Sequence, residues 1–327
     1  MDAPTLADVY RARQAIAPYL RPTPLVRSDA LSELLGCSAY LKCENVQPIG
    51  VFKVRGGINL VSFLSEEERR RGVITASTGN HGQSIAYAAR LFGVPATIAA
   101  PDNCNPYKRQ AMERLGARVK LVGRDFDESR VWVGEEAARR GYRYVHAANE
   151  PLIIAGVGTM SLEIMEELPE VDVIINPIGG GSGCASHCIV AKEIKPDVQV
   201  IGVQAERAPA VYLSWKAGEL RETESSDTFA EGLATRVAFE LPFSIIKDRI
   251  DDIVLVSDEE MAEAVVTLLD RAHMLAEPAG AAPLAAAVKM RERLRGKRVV
   301  LVLTGANITV EQLRAVLDKS SRSSLTT

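Results

Sequence analysis

The chain lacks a basic surplus: 39 Lys and Arg stand against 42 Asp and Glu, leaving a formal net charge of −3. A nucleic-acid backbone would find no electrostatic footprint here. The Lys/Arg-rich pieces, Glu-Arg-Arg-Arg at 68–71 and the stretch 289–298, alternate with acids or apolar residues and read as solvated helix faces. No 18-residue apolar segment is free of charge, which argues against a membrane-spanning helix. The first residues hold no basic region followed by an apolar stretch, so the expected location is the cytoplasm. Five cysteines, Cys37, Cys43, Cys104, Cys184 and Cys188, form neither a disulfide framework nor a paired zinc spacing. Cys184 and Cys188 share a helix face beside His187, but no second ligand pair accompanies them, and buried small residues are expected rather than a metal site.

What is present is an ordinary globular composition, 47% hydrophobic and 25% charged over 327 residues, enough for a large core or two domains. From residue 72 onward, short β-branched runs alternate with longer helical patterns. Strands are expected at 73–76, 96–99, 119–122, 142–146, 171–175, 198–203, 253–256 and 299–303. This is the βαβ signature, and right-handed crossovers make the sheet mostly parallel. Residues 320–327, rich in Ser and Thr without apolar periodicity, are expected to fray.

Three segments carry chemistry. Lys53 lies in Pro-Ile-Gly-Val-Phe-Lys-Val-Arg-Gly-Gly at 48–57, beside glycines that permit close backbone approach. Ser77, Thr78, Gly79, Asn80, His81 and Gly82 end a strand and open a helix, so their amides and hydroxyls can take a carboxylate. Gly179, Gly180, Gly181, Ser182 and Gly183 follow an apolar strand, where successive N–H groups at a helix N-terminus suit a phosphate. That loop lacks the Lys-Ser/Thr ending of an ATP-type loop, and a dinucleotide reading needs an acidic partner at the proper distance. An isolated lysine is usually a solvated charge. An amine, a polar turn and a phosphate loop together are what a pyridoxal 5′-phosphate (PLP) enzyme requires.

These segments occur in one order with Pro-Thr-Pro-Leu at 22–25, Leu-Lys-Cys-Glu-Asn at 41–45, Asp-Glu-Ser-Arg at 127–130, Glu-Gly at 231–232, Glu-Pro-Ala-Gly at 277–280 and Thr-Gly-Ala-Asn at 304–307. In them the chain resembles the fold type II PLP-dependent enzymes, specifically the serine/threonine dehydratase and serine racemase branch. The resemblance implies a tryptophan synthase β-like α/β fold with mostly parallel sheets. A small domain at 49–148 would be inserted into a large one formed by 1–48 and 149–327, with the cofactor between them. It implies that Lys53 is the Schiff-base lysine that also removes the Cα proton, that Phe52 packs against the cofactor, and that Asn80 contacts its 3′-oxygen. The 179–183 loop would hold the phosphate, with Gly232 and Glu277 among the cofactor-binding residues. Thr304 would face the pyridine nitrogen, where a neutral hydroxyl suits β-elimination better than transamination.

On the substrate side the resemblance implies Ser77, Thr78, Gly79, Asn80, His81, Arg130 and Thr235. Thr78 stands where serine racemase carries its second catalytic hydroxyl, and His81 is expected to orient its loop rather than transfer the key proton. The chain departs from the family's pattern at Val51, usually Ser, and at Ala148, which replaces an Asn. Relatives that bind a divalent cation place carboxylates where this chain has Gln204, Ala208 and Ala210, with Glu206 nearby but offset; no metal is expected. The implied activity is a dehydratase, or ammonia-lyase, acting on a β-hydroxy amino acid such as threonine or serine. A serine-type racemase is the alternative within the family, and a non-catalytic amino-acid or nucleotide-binding module the alternative outside it. A homodimer or higher homo-oligomer is expected.

Overall fold

The computed structural model describes residues 2–323. Ten strands are β1 (Leu25–Arg27), β2 (Ser38–Cys43), β3 (Val73–Ala76), β4 (Ala96–Ala100), β5 (Arg118–Leu121), β6 (Arg143–Tyr144), β7 (Val173–Pro177), β8 (Gln199–Ala205), β9 (Asp252–Val256) and β10 (Arg298–Leu303). They form a six-stranded sheet of order β1-β2-β10-β7-β8-β9 and a four-stranded sheet of order β5-β4-β3-β6. Every pairing is parallel except β1 with β2 at one edge.

The central strands are mostly apolar because helices cover both faces of a parallel sheet. Thus β10 reads Arg-Val-Val-Leu-Val-Leu and is buried from its second residue onward, whereas edge strand β1 is largely exposed. Its register, Val299 opposite Val173 and Val300 opposite Tyr40, places it between β7 and β2. The crossovers are helices with strong starts. Ser65 and Ser257 each form a capping box with a glutamate three residues on, Glu68 and Glu260, and so satisfy helix-end donors that would otherwise be left bare.

The chain divides into two compact units, one of residues up to Arg21 with Lys53–Thr159, the other of Pro22–Phe52 with residues from Met160 onward. The grouping differs from the 49–148 insertion read from sequence chiefly at the N-terminus, where helix Leu6–Ile16 joins the smaller unit by packing on helix Val54–Ser62. In the larger unit the core combines Leu41, Val173, Ile175, Ile201, Val203, Leu301 and Leu303 of the sheet with Met261, Val265, Leu268 and Leu284 of the covering helices. Each such side chain contributes roughly 1.5–3 kcal/mol by leaving water. The smaller unit has a satellite core in which Ile74, Ala76 and Ala99 meet Val133 and Ala137, with Phe126 and Trp132 at its margin.

Helix Val310–Ser323 continues past Ser320, where the sequence reading expects a frayed end; its Val316 is buried in the core, and the backbone ladder propagates from there. Residues 324–327 of that expected tail lie outside the described residues. Among the described residues, no helix is long and apolar enough to cross a membrane.

Candidate active site

In the larger unit the glycine loop is the turn between β7 and helix Ser182–Ile194. Ile178 extends the strand by one residue, its N–H donating to the Val203 carbonyl at 2.7 Å. The glycines that follow are needed for separate reasons. A Cβ on Gly179 would lie 2.0 Å from the Gly232 carbonyl oxygen, so the backbones touch where a side chain would stand. Gly181 has φ 93°, the left-handed region that favours glycine, and a Cβ there would meet Pro242 at 2.8 Å. Among the described residues, none of the N–H groups of Gly179, Gly180, Gly181, Ser182 and Gly183 donates to a backbone acceptor. Together with the positive end of a 13-residue helix, they form a cradle of free donors emptied of Cβ atoms. The Asn176 Oδ1 beside Gly183 is buried and has no partner, a further polar atom unaccounted for at this place. The cradle fits the phosphate of PLP.

Phe52 and Thr304 belong to the same neighbourhood. The Phe52 ring stands 3.5 Å from where a Gly183 Cβ would be. The Phe52 N–H donates to the Thr304 carbonyl at 2.9 Å, Val51 bridges Gly305 in antiparallel fashion, and the Ala306 N–H donates to the Gly50 carbonyl at 2.9 Å. Asn307 clasps this short ladder through Nδ2 to the Ile49 carbonyl at 3.1 Å. Residues 49–52 are thereby registered, residue against residue, with the turn that carries Thr304. Glu277 is buried; its N–H donates to the Gly305 carbonyl at 2.9 Å, and its Oε1 borders both Gly305 and Gly232. Thus Phe52, Gly179, Gly183, Gly232, Glu277 and Thr304 are brought together within this unit. Thr235 lies three residues beyond Gly232, its hydroxyl donating to the Val237 carbonyl at 2.8 Å.

In the smaller unit Lys53 is the N-cap residue of helix Val54–Ser62, and its carbonyl accepts from the Ser84 hydroxyl at 2.5 Å. Ser84 lies on helix Asn80–Phe92, which follows β3 after a three-residue turn. That turn is built by Ser77, whose Oγ accepts from the N–H of Gly79 at 3.1 Å and of Gly82 at 2.8 Å. Thr78 and Asn80 remain partly exposed, while Ser77, Gly79 and His81 are buried. His81 Nε2 lies 2.9 Å from the Thr75 hydroxyl, which itself donates to the Val145 carbonyl at 2.7 Å. Burial, and then the Lys53 charge, push the imidazole pKa down to about 3. A ring so hard to protonate is a neutral brace for the turn.

Arg130 is exposed on helix Phe126–Arg140. Its charge, after burial, holds His146 down at about 4. His146 Nδ1 accepts the N–H groups of Ala148 and Asn149 at 3.0 and 2.9 Å, and Ala148 is buried. Sequence reasoning passed over Lys108, whose side chain runs beside Gly79, with Cδ 3.3 Å and Nζ 3.9 Å from where its Cβ would be. Only its place in the first turn of helix Pro106–Arg114, capped by Asn105, hinted at this. It also passed over the Asn307 clasp, although the Thr-Gly-Ala-Asn turn was noticed.

Cys184 and Cys188 are fully buried with raised thiol pKa at Cys184, the neighbouring Cys188 and burial both opposing the thiolate. Among the described residues no group of three His, Cys, Asp or Glu side chains could hold a metal ion. Glu206 is exposed and pairs with Lys289 Nζ at 3.2 Å, while Gln204 is buried.

Comparison with known proteins gives these arrangements a family. The pyridoxal-phosphate dependent enzyme model matches residues 16–305. An L-threonine ammonia-lyase of Thermotoga maritima is 40% identical over 315 residues, covering 96% of this chain and 78% of that protein. Among solved structures, the processed form of threonine deaminase isoform 2 from Solanum lycopersicum matches with TM-score 0.90 and 31% identity, over 97% of this chain and 94% of that one. Maize serine racemase matches with TM-score 0.92 and 28% identity, over 98% and 99%. With its phosphate-sized glycine cradle, its lysine-bearing segment and these relatives, the chain belongs to the family of pyridoxal-phosphate dependent enzymes and has their type II fold.

Proposed function

We propose that this protein is a PLP-dependent ammonia-lyase that converts a β-hydroxy amino acid of the threonine or serine type to a 2-oxo acid and ammonia. The observation that carries the reading is the register between the Lys53-bearing segment and the Thr304 turn, beside a glycine cradle fit for a phosphate. Similarity to an L-threonine ammonia-lyase supports the substrate class.

When bound, PLP supplies an electron sink that acidifies the substrate Cα–H. The Lys53 amine would hold the cofactor at its aldehyde carbon, and the same amine, when free, would take the Cα proton on Nζ. Phe52 would pack on the ring, Asn80 would reach its 3′-oxygen, and Gly232 and Glu277 would border it. The amides of Gly179, Gly180, Gly181, Ser182 and Gly183 would hold the phosphate. The Thr304 hydroxyl would face the ring nitrogen, and a neutral group there would leave that nitrogen unprotonated, which favours elimination. Ser77, Thr78, Gly79 and Asn80 bind the substrate carboxylate at the start of helix Asn80–Phe92. His81 braces them, and Arg130 and Thr235 lie on the substrate side. The Cα proton and the β-hydroxyl leave as water; hydrolysis of the resulting enamine consumes one water and releases ammonia, so the net change is amino acid to 2-oxo acid and ammonia.

Thr78 is the residue on which a racemase reading rests, and the match to maize serine racemase favours keeping it as the second reading. The remaining expectations, a homo-oligomeric, cytoplasmic catabolic enzyme, belong to the same proposal. The test is a screen of β-hydroxy amino acids for 2-oxo acid release with chiral analysis of the remaining substrate. Borohydride reduction and peptide mapping accompany it. Oxo-acid release with the label on Lys53, lost together in Lys53→Ala, is expected; a label on another lysine overturns the assignment, and epimerised substrate without oxo acid makes the protein a racemase.

A further inference from the structure

Gln204 stands near the end of β8, wholly buried, and its amide is used on both sides. Oε1 accepts the N–H of Tyr212 at 2.8 Å, in the first turn of helix Ala210–Ala217. Nε2 donates to the Ile178 carbonyl at 3.4 Å. The first contact fixes the second: a backbone N–H requires an oxygen opposite it, so the amide orientation is set and its NH2 must face Ile178.

Ile178 is the last residue before the glycine cradle, and a peptide unit is planar and trans, so its C=O and the following N–H point in opposite directions. Turning the Ile178 carbonyl toward Gln204 therefore aims the Gly179 N–H the other way. The Ile178 N–H is already committed to Val203, and its side chain lies against Gly202, where a Cβ would meet Ile178 Cδ1 at 2.3 Å. Amide, carbonyl and side chain of Ile178 are all held by β8, and only the carbonyl's partner is a side chain that a substitution can change.

We infer that Gln204 is a positioning residue for the cofactor phosphate: it holds the Ile178 carbonyl and so pre-aims the Gly179 N–H into the cradle, without touching the cofactor itself. Pre-aimed donors spare the reorganisation that binding would otherwise require, and the lost alignment shows as weaker binding. The inference rests on the phosphate reading of the 179–183 loop.

Two variants separate it from a helix-capping role. Gln204→Met removes both hydrogen bonds and adds no charge; Gln204→Glu keeps an acceptor for Tyr212 but puts an oxygen opposite the Ile178 carbonyl. The readouts are the dissociation constant of PLP by equilibrium dialysis, the ³¹P resonance of the bound phosphate, and the thermal midpoint of the apoprotein. In both variants the PLP dissociation constant is expected to rise about tenfold, with a shifted or broadened ³¹P line. Both variants are expected to lose apoprotein stability, Gln204→Met by freeing the Tyr212 N–H and Gln204→Glu by burying a carboxylate against the Ile178 carbonyl. An unchanged dissociation constant and ³¹P line in Gln204→Glu reduces Gln204 to a helix cap and overturns the inference. Gly181→Asp serves as the reference. If it weakens PLP while the Gln204 variants do not, the inference fails and the phosphate reading stands; if it too leaves PLP binding unchanged, the phosphate reading itself fails.

Discussion

The two units each contain a parallel strand that ends in a tight turn and opens a helix, β3 into helix Asn80–Phe92 and β7 into helix Ser182–Ile194, yet the turns are furnished in opposite ways. The 179–183 turn is made by subtraction. Its glycines remove side chains where backbone must touch backbone or where φ is positive, and its N–H groups donate to no backbone acceptor among the described residues. The 77–81 turn is made by addition: a Ser77 hydroxyl gathers two backbone N–H groups, a Thr75–His81 pair braces it from below, and Thr78 and Asn80 offer side chains at the rim. On the proposed reading, one backbone device yields two kinds of anion site. A phosphate, with three terminal oxygens, needs space and many amides; a carboxylate, with two, is served by a smaller turn lined with hydroxyl and amide groups.

The sharpest way to break that comparison is to add a methyl to the subtractive turn. In Gly179→Ala the new Cβ has no room against the Gly232 carbonyl, and the PLP dissociation constant should rise by about a hundredfold, read by dialysis. Ordinary PLP binding in that variant would show that the loop is not the phosphate site.

The additive turn should respond differently. Ser77→Ala leaves the N–H groups of Gly79 and Gly82 without their acceptor, costing about 1 kcal/mol of stability. KM for the amino acid should rise several-fold while PLP affinity changes little. A variant that loses PLP and substrate in equal measure would erase the distinction between the turns.

A smaller effect concerns pH. Burial depresses His81, His146 and His187 to about 3, about 4 and about 3, against an ordinary 6.5. Between those values and 6.5 the unfolded chain binds more protons than the folded one, so stability is fully present above pH 6.5 and is lost as pH falls through that window. His187 is not itself a proposed site residue; its Nδ1 lies 3.0 Å from the Ser161 hydroxyl. Urea midpoints taken from pH 7 to pH 4 should fall less steeply in His187→Gln than in the parent protein, and identical slopes would refute the assignment.

The smallest expected effect is that of chelation. Glu206 is engaged by Lys289 rather than aimed at the Gln204 position, so exhaustive EDTA at fixed K⁺ should leave turnover unchanged. A large loss restored by Mg²⁺, and absent from Glu206→Ala, would place a cation there after all.

Much of this organisation was legible in the residues. The β-branched runs located β3, β4, β5, β7, β8, β9 and β10 to within a residue or two, strands such as β3 and β10 because burial on both faces demands apolar residues, and β5 although it is a largely exposed edge. The strand expected at 142–146 is only the pair Arg143–Tyr144, since His146 Nδ1 draws the next backbone N–H groups into a turn. The glycine loop and the Ser77 turn were visible because Gly, Ser and Asn at a strand-to-helix junction have few other uses. Domain membership was less visible. Helix Leu6–Ile16 has an unremarkable amphipathic pattern, and which sheet's helices it joins depends on a packing partner some forty residues away.

By itself, then, the sequence determined the order of strands and helices, the parallel class of the sheets, and the positions at which the chain must lack a side chain or offer a hydroxyl. These are local properties, written in periodicity and in the steric demands of single residues. Only the tertiary structure decided that Val51 lies opposite Gly305, that Gly179 meets the carbonyl of Gly232, and that the Gln204 amide turns one face to Ile178 and the other to Tyr212. Each is a contact between segments far apart in the chain. Its geometry is fixed by the register of a sheet and the packing of a core, which no local pattern records.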